Sequence, residues 1–69
     1  MFKNLIAEMA RHGITRGELA KRLGISETSI TNKMHGIRDW KLPEIIKITK
    51  MFPDVEFEKL FATEDDTSN

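Results

Sequence analysis

Apolar residues along this chain recur at helical spacing from end to end. Phe2, Leu5, Ile6, Met9 and Ala10 follow i, i+3, i+4, i+7, i+8, the stripe of an amphipathic helix. Leu19, Ala20 and Leu23 give a second inward face, and Ile30 and Met34 a third. A broader face is made by Ile45, Ile46, Ile48, Met51 and Phe52, and a short one by Phe57, Leu60 and Phe61. No stretch alternates as a strand does, so the pattern predicts an all-α fold of five helices.

Punctuation residues sit between these stripes. Gly13 stops the first helix. Thr15 and Glu18 match the T-x-x-E capping box that opens the second. Gly24 follows Leu23, where a helix ends most easily in a left-handed residue. One residue later Ser26 is a suitable N-cap for the third helix, and Gly36 ends it. The third helix places Ile30 and Met34 inward and leaves Glu27, Thr28, Ser29, Thr31, Asn32 and Lys33 on its outer surface. Pro43 suits the first turn of the fourth helix and Pro53 marks its end. Asp54 and Glu56 are alternative caps for the fifth. Residues 1–62 thus read as one helical domain, and residues 63–69, TEDDTSN, as a disordered acidic tail with no apolar side chain.

The second and third helices are separated by a turn too short to flex. Two helices held at a fixed angle in this way are the geometry that places one of them in the DNA major groove.

Charge sharpens that reading. The 69 residues carry 11 basic and 11 acidic side chains, a net charge of zero. Residues 11–41, however, hold seven basic side chains against three acidic, whereas residues 42–69 hold three against seven. The helix pair is therefore in the basic part of the chain, as a phosphate-facing surface requires.

At this point the residues resemble a known family. Leu19-Ala20, Leu23-Gly24-Ile25-Ser26, Ile30-Thr31 and Gly36 resemble the helix-turn-helix of the Cro and lambda-repressor (XRE-type) family, and the likeness runs over residues 1–61. The ending NKMHG, the aromatic Trp40 in the following loop and the closing FPDVEFEKLF look like small phage or prophage regulators. The resemblance implies a lambda-repressor-like five-helix domain in which the second helix props and the third reads DNA, bound as a dimer. Carried over by position, base contacts fall to Ser26, Glu27, Thr28 and Asn32. Phosphate contacts fall to Arg16, His35 and Arg38, with Lys33 and Lys41 added for their charge. Arg16 stands where the family often has glutamine, and Lys33-Met34 where it often has an aromatic-glutamate pair.

These residue types suit the task. Asparagine bonds adenine N6 and N7 together, glutamate accepts from cytosine N4, and the threonine methyl meets the thymine methyl. The reading is a sequence-specific transcriptional regulator of phage-repressor or Cro type, with duplex DNA as partner. Self-association is expected through Phe57 and Phe61, with Trp40 either joining them or anchoring its own loop. The alternative is a protein-interaction module on the same scaffold, such as an antitoxin or anti-repressor.

Other classes find no support. The chain has no cysteine, which fits a reducing cytoplasm. Its two histidines, His12 and His35, lie 23 residues apart on different helices, so no zinc spacing exists. Neither an enzyme nor a cofactor is expected, and no apolar run is long enough to span a membrane.

Overall fold

The computed structural model describes residues 1–63. It is all-helical, with α1 at Lys3–Arg11, α2 at Arg16–Leu23, α3 at Glu27–Met34, α4 at Leu42–Met51 and α5 at Phe57–Leu60. The tail expected from residue 63 onward lies, beyond Thr63, outside the described residues.

The caps show why these segments are helices. Thr15 is extended and its hydroxyl accepts from the Glu18 amide at 3.1 Å, which satisfies one orphan donor of α2. Glu18 does not return the bond; its carboxylate pairs with Arg22 one turn on, at 3.2 Å. Gly24 ends α2 at φ +72°, and the next amide, Ile25, closes back on the Ala20 carbonyl at 3.0 Å. Ser26 then caps α3 by accepting from the Ser29 amide at 3.1 Å. Of the two alternatives for α5, Glu56 holds the N-cap position.

The core is drawn from all five helices. Leu5 and Met9, Leu19, Ala20 and Leu23, Ile30 and Met34, Ile48, and Leu60 are buried, with Phe52 just past the end of α4. Ala20 is small where α2 and α3 cross, and each methyl-sized group there is held at close packing. Backbone bonds stitch the ends together. The Phe2 amide donates to the Met34 carbonyl at 3.2 Å, joining the start of α1 to the end of α3. The Asn4 side-chain amide donates to the Lys59 carbonyl at 2.8 Å, joining α1 to α5.

Beside the core, Phe2, Trp40 and Phe61 form a triangle of edge-to-face rings, with all three centroid separations at 6.1 Å. This geometry is favoured by the ring quadrupoles. Trp40 thereby anchors the α3–α4 loop to the start of α1 and the end of α5.

The broad face expected on α4 is corrected in one respect. Ile48 is buried, but Ile46 is exposed and the buried position one turn before Ile48 is Glu44.

Candidate nucleic-acid interface

The inward side of helix α3 is fixed by Ile30 and Met34, both fully buried. Lys33 joins them. It was expected on the outer surface as a phosphate contact, but it is only 4% exposed. The reason is positional: residue 33 lies three after Ile30 and so falls on the inward arc of the helix. Its ammonium donates to both carboxylate oxygens of Glu44, at 2.5 and 2.6 Å, and lies 5.9 Å from the centre of the Trp40 ring. Lys33 therefore leaves the phosphate-contact set.

Glu44 completes this arrangement. It is the third residue of α4, and its Oε1 also accepts from the Lys41 amide at 2.9 Å, the reach-back of a capping box. Burial pushes its carboxyl upward, but the bonds from Lys33 and the Lys41 amide, with the charges of Lys33 and Lys41, outweigh it and hold the group below its ordinary value.

On the outer side the expected base-contact residues separate into two kinds. Thr28 is exposed and Asn32 half-exposed, and neither side chain has a hydrogen-bond partner among the described residues. They are one helical turn apart and share a face. Asn32 also serves the following turn through its backbone, since its carbonyl accepts from the Ile37 amide at 2.9 Å and the Arg38 amide at 3.3 Å. Ser26 is exposed, but its hydroxyl accepts from the Ser29 amide and donates to the Ser29 hydroxyl, leaving one lone pair. Glu27 is exposed at the first position of α3, yet its carboxylate rests against α2: a Cβ at Gly17 would lie 3.3 Å from Glu27 Oε2.

The cationic residues frame this face. Arg16, in the first turn of α2, is half-buried and donates through Nη1 to the Thr31 hydroxyl at 3.2 Å. That bond links the start of α2 to the middle of α3 and leaves the other guanidinium donors open. His35 at the end of α3, and Arg38 and Lys41 in the loop, are exposed. Three contributors were not singled out by the sequence reading: Glu44, Gly17 and the Thr31 hydroxyl. Glu44 had a signal, an acidic residue at the third position of a helix opened by Leu42-Pro43. Gly17 and Thr31 had none, because their roles depend on how α2 and α3 cross.

The expected dimer residues also separate. Trp40 and Phe61 are committed to the ring triangle with Phe2. Phe57 is 49% exposed and lines an apolar groove of about 360 Å³ with Leu42, Ile45, Ile46, Thr49 and Lys50. Among the described residues no group of His, Asp and Glu is placed to hold a metal ion, and no helix is long and apolar enough to cross a membrane.

The arrangement is a helix with an anchored inner side and, among the described residues, unpaired Thr28 and Asn32 side chains outside, with Arg16 bonded to its middle and His35, Arg38 and Lys41 exposed from its C-terminal end onward. No curated protein and no solved structure matches the chain. A family model does match, over residues 4–66, and by this match the chain belongs to the family of Cro/C1-type helix-turn-helix DNA-binding domains.

Proposed function

We propose that this chain is a transcriptional regulator of the phage-repressor or Cro type, binding a specific duplex sequence as a homodimer. The observation that carries the reading is the outer face of α3, where Thr28 and Asn32 present unpaired side chains beside one another. Asn32 supplies a donor and an acceptor for adenine, and Thr28 a methyl and a hydroxyl. Ser26 has one acceptor left for a base edge. Arg16, His35, Arg38 and Lys41 take the phosphates on either side, which fixes the register of α3 in the groove.

One domain of this size reads few base pairs, so two copies on a pseudo-palindrome about 34 Å apart supply the specificity. The apolar groove around Ile46 and Phe57 supports a second copy as its occupant. Its lining is almost wholly apolar apart from Lys50, while Glu58, next to Phe57, is exposed and carries the opposite charge. An operator occupied in this way blocks polymerase sterically.

Selection of bound duplexes from a random library tests the proposal. A single enriched motif with two-fold symmetry is the expected result. Recovery of no enriched sequence, with retention of a protein partner instead, would favour a protein-interaction role such as an antitoxin or anti-repressor.

A further inference from the structure

The outer surface of α3 is divided lengthwise. Residues 27 and 31 stack on one side of the helix, and residues 28 and 32 on the next. The 27/31 side is engaged by the first turn of α2: Thr31 accepts from Arg16, and the Glu27 carboxylate rests on Gly17. Among the described residues, the Thr28 and Asn32 side chains on the 28/32 side have no hydrogen-bond partner. A carboxylate at the first position of a reading helix has two places to go. It can point at the bases and accept from a cytosine amino group, or it can turn away from the phosphates that repel it. Here it lies against the first turn of α2, where position 17 carries no side chain. An added Cβ would sit 3.3 Å from Oε2, 3.5 Å from Cδ and 3.8 Å from Oε1 of Glu27.

We infer that Gly17 is a specificity-determining residue of this domain: the lack of a bulky side chain at this position gives Glu27 a resting place off the reading surface, so that Thr28 and Asn32 read DNA without a carboxylate beside them. The inference rests on the DNA-reading role proposed for α3 and reassigns Glu27 within it. Gly17 is not held for its backbone angle, since among the described residues the positive φ values belong to Gly13, Gly24 and Gly36.

The test uses Glu27→Gln, Gly17→Ala, Gly17→Leu and the double variant Gly17→Leu/Glu27→Ala. Each is put through duplex selection, affinity measurement on the wild-type motif and thermal melting. Glu27→Gln keeps the shape and loses the charge. It should leave the selected motif unchanged and raise affinity for every duplex roughly two- to five-fold. Gly17→Ala moves the carboxylate by a few tenths of an ångström and should act weakly. Gly17→Leu takes its resting place, and should lower affinity for the wild-type motif roughly ten-fold, the weight of one disturbed base contact, or shift preference toward cytosine at one position. Its melting temperature should stay at or above wild type, so misfolding does not account for the loss. The double variant removes the displaced carboxylate and should recover most of the affinity. A change in the motif caused by Glu27→Gln would mean that Glu27 reads a base directly, and would overturn the inference. So would a Gly17→Leu protein with wild-type affinity and motif. A wild-type protein that selects no sequence would overturn the DNA-reading role itself, and the inference with it.

Discussion

The Lys33 ammonium is held by both oxygens of the Glu44 carboxylate, at 2.5 and 2.6 Å, in a pair that is almost fully buried. It closes the last turn of α3 onto the first turn of α4, with Arg38 and Lys41 in the loop between the two helices. Removing either partner strands a buried charge. Lys33→Met or Glu44→Leu alone should cost on the order of 3 kcal/mol, a large share of the stability open to a chain this short. The double variant Lys33→Met/Glu44→Leu should be more stable than either single one, because apolar groups pack without desolvating a charge. Urea denaturation of the four proteins checks this.

Acid should loosen the same joint. The Glu44 carboxyl is lowered from its ordinary 4.5, so the unfolded chain binds the proton more readily than the folded one. The contribution is therefore complete above about pH 4.5 and is lost as the pH falls through the lowered folded value. The stability gap between wild type and Glu44→Gln should be constant from neutral pH down to that point and shrink below it. Denaturation midpoints of both proteins between pH 7 and pH 3 follow the gap, and a gap that widens with acid would contradict the assignment.

Asn32→Ala removes the side chain best suited to adenine without touching the core. Its backbone carbonyl still accepts from Ile37 and Arg38, so the loop keeps its shape. Affinity for the preferred duplex should fall by about 1–3 kcal/mol and one base position should relax, while unrelated duplexes bind as before. Competition titrations with single-base variants of the motif measure both effects.

Self-association should depend on the groove and not on the ring triangle. Ile46→Glu is at an exposed position, 46% accessible, so the fold should tolerate it. It should shift the protein to monomer in sedimentation velocity and weaken binding to a full two-fold site far more than to a half-site. Phe61→Ala, by contrast, should lower the melting temperature, since Phe61 packs on Phe2 and Trp40.

Local signals carried most of the fold. Thr15, Gly24, Ser26, Pro43 and the apolar stripes each act within one or two turns, so the five helices and most of their boundaries were legible from the chain. Lys33 shows where that legibility ends. Residue type suggested a surface cation, whereas its distance from Ile30 put it on the inward arc, and the partner that makes its burial tolerable is eleven residues away on another helix. Glu44 was hidden for the matching reason: an acidic residue on an otherwise apolar face reads as solvent-facing until its partner is known. Ile46 and Phe57 looked like core by spacing, but a four-residue α5 is too short to cover the whole of the α4 face. Within the site, the α2–α3 helix pair was evident from its caps and its short turn. The division of the outer surface of α3 was not, because Arg16–Thr31 and Gly17–Glu27 are contacts across a helix crossing.

Salt dependence of binding to the selected duplex tests the central claim most directly. The phosphate contacts proposed for Arg16, His35, Arg38 and Lys41 number about eight over the two copies of the proposed dimer, so affinity should fall by about 10³–10⁵ between 50 and 200 mM salt. Arg16→Ala should reduce the logarithmic slope by about one per copy engaged, with no change in the preferred sequence. An affinity that is flat across that range, or equal for the selected duplex and its scrambled counterpart, would contradict the account of α3 as a helix that reads DNA.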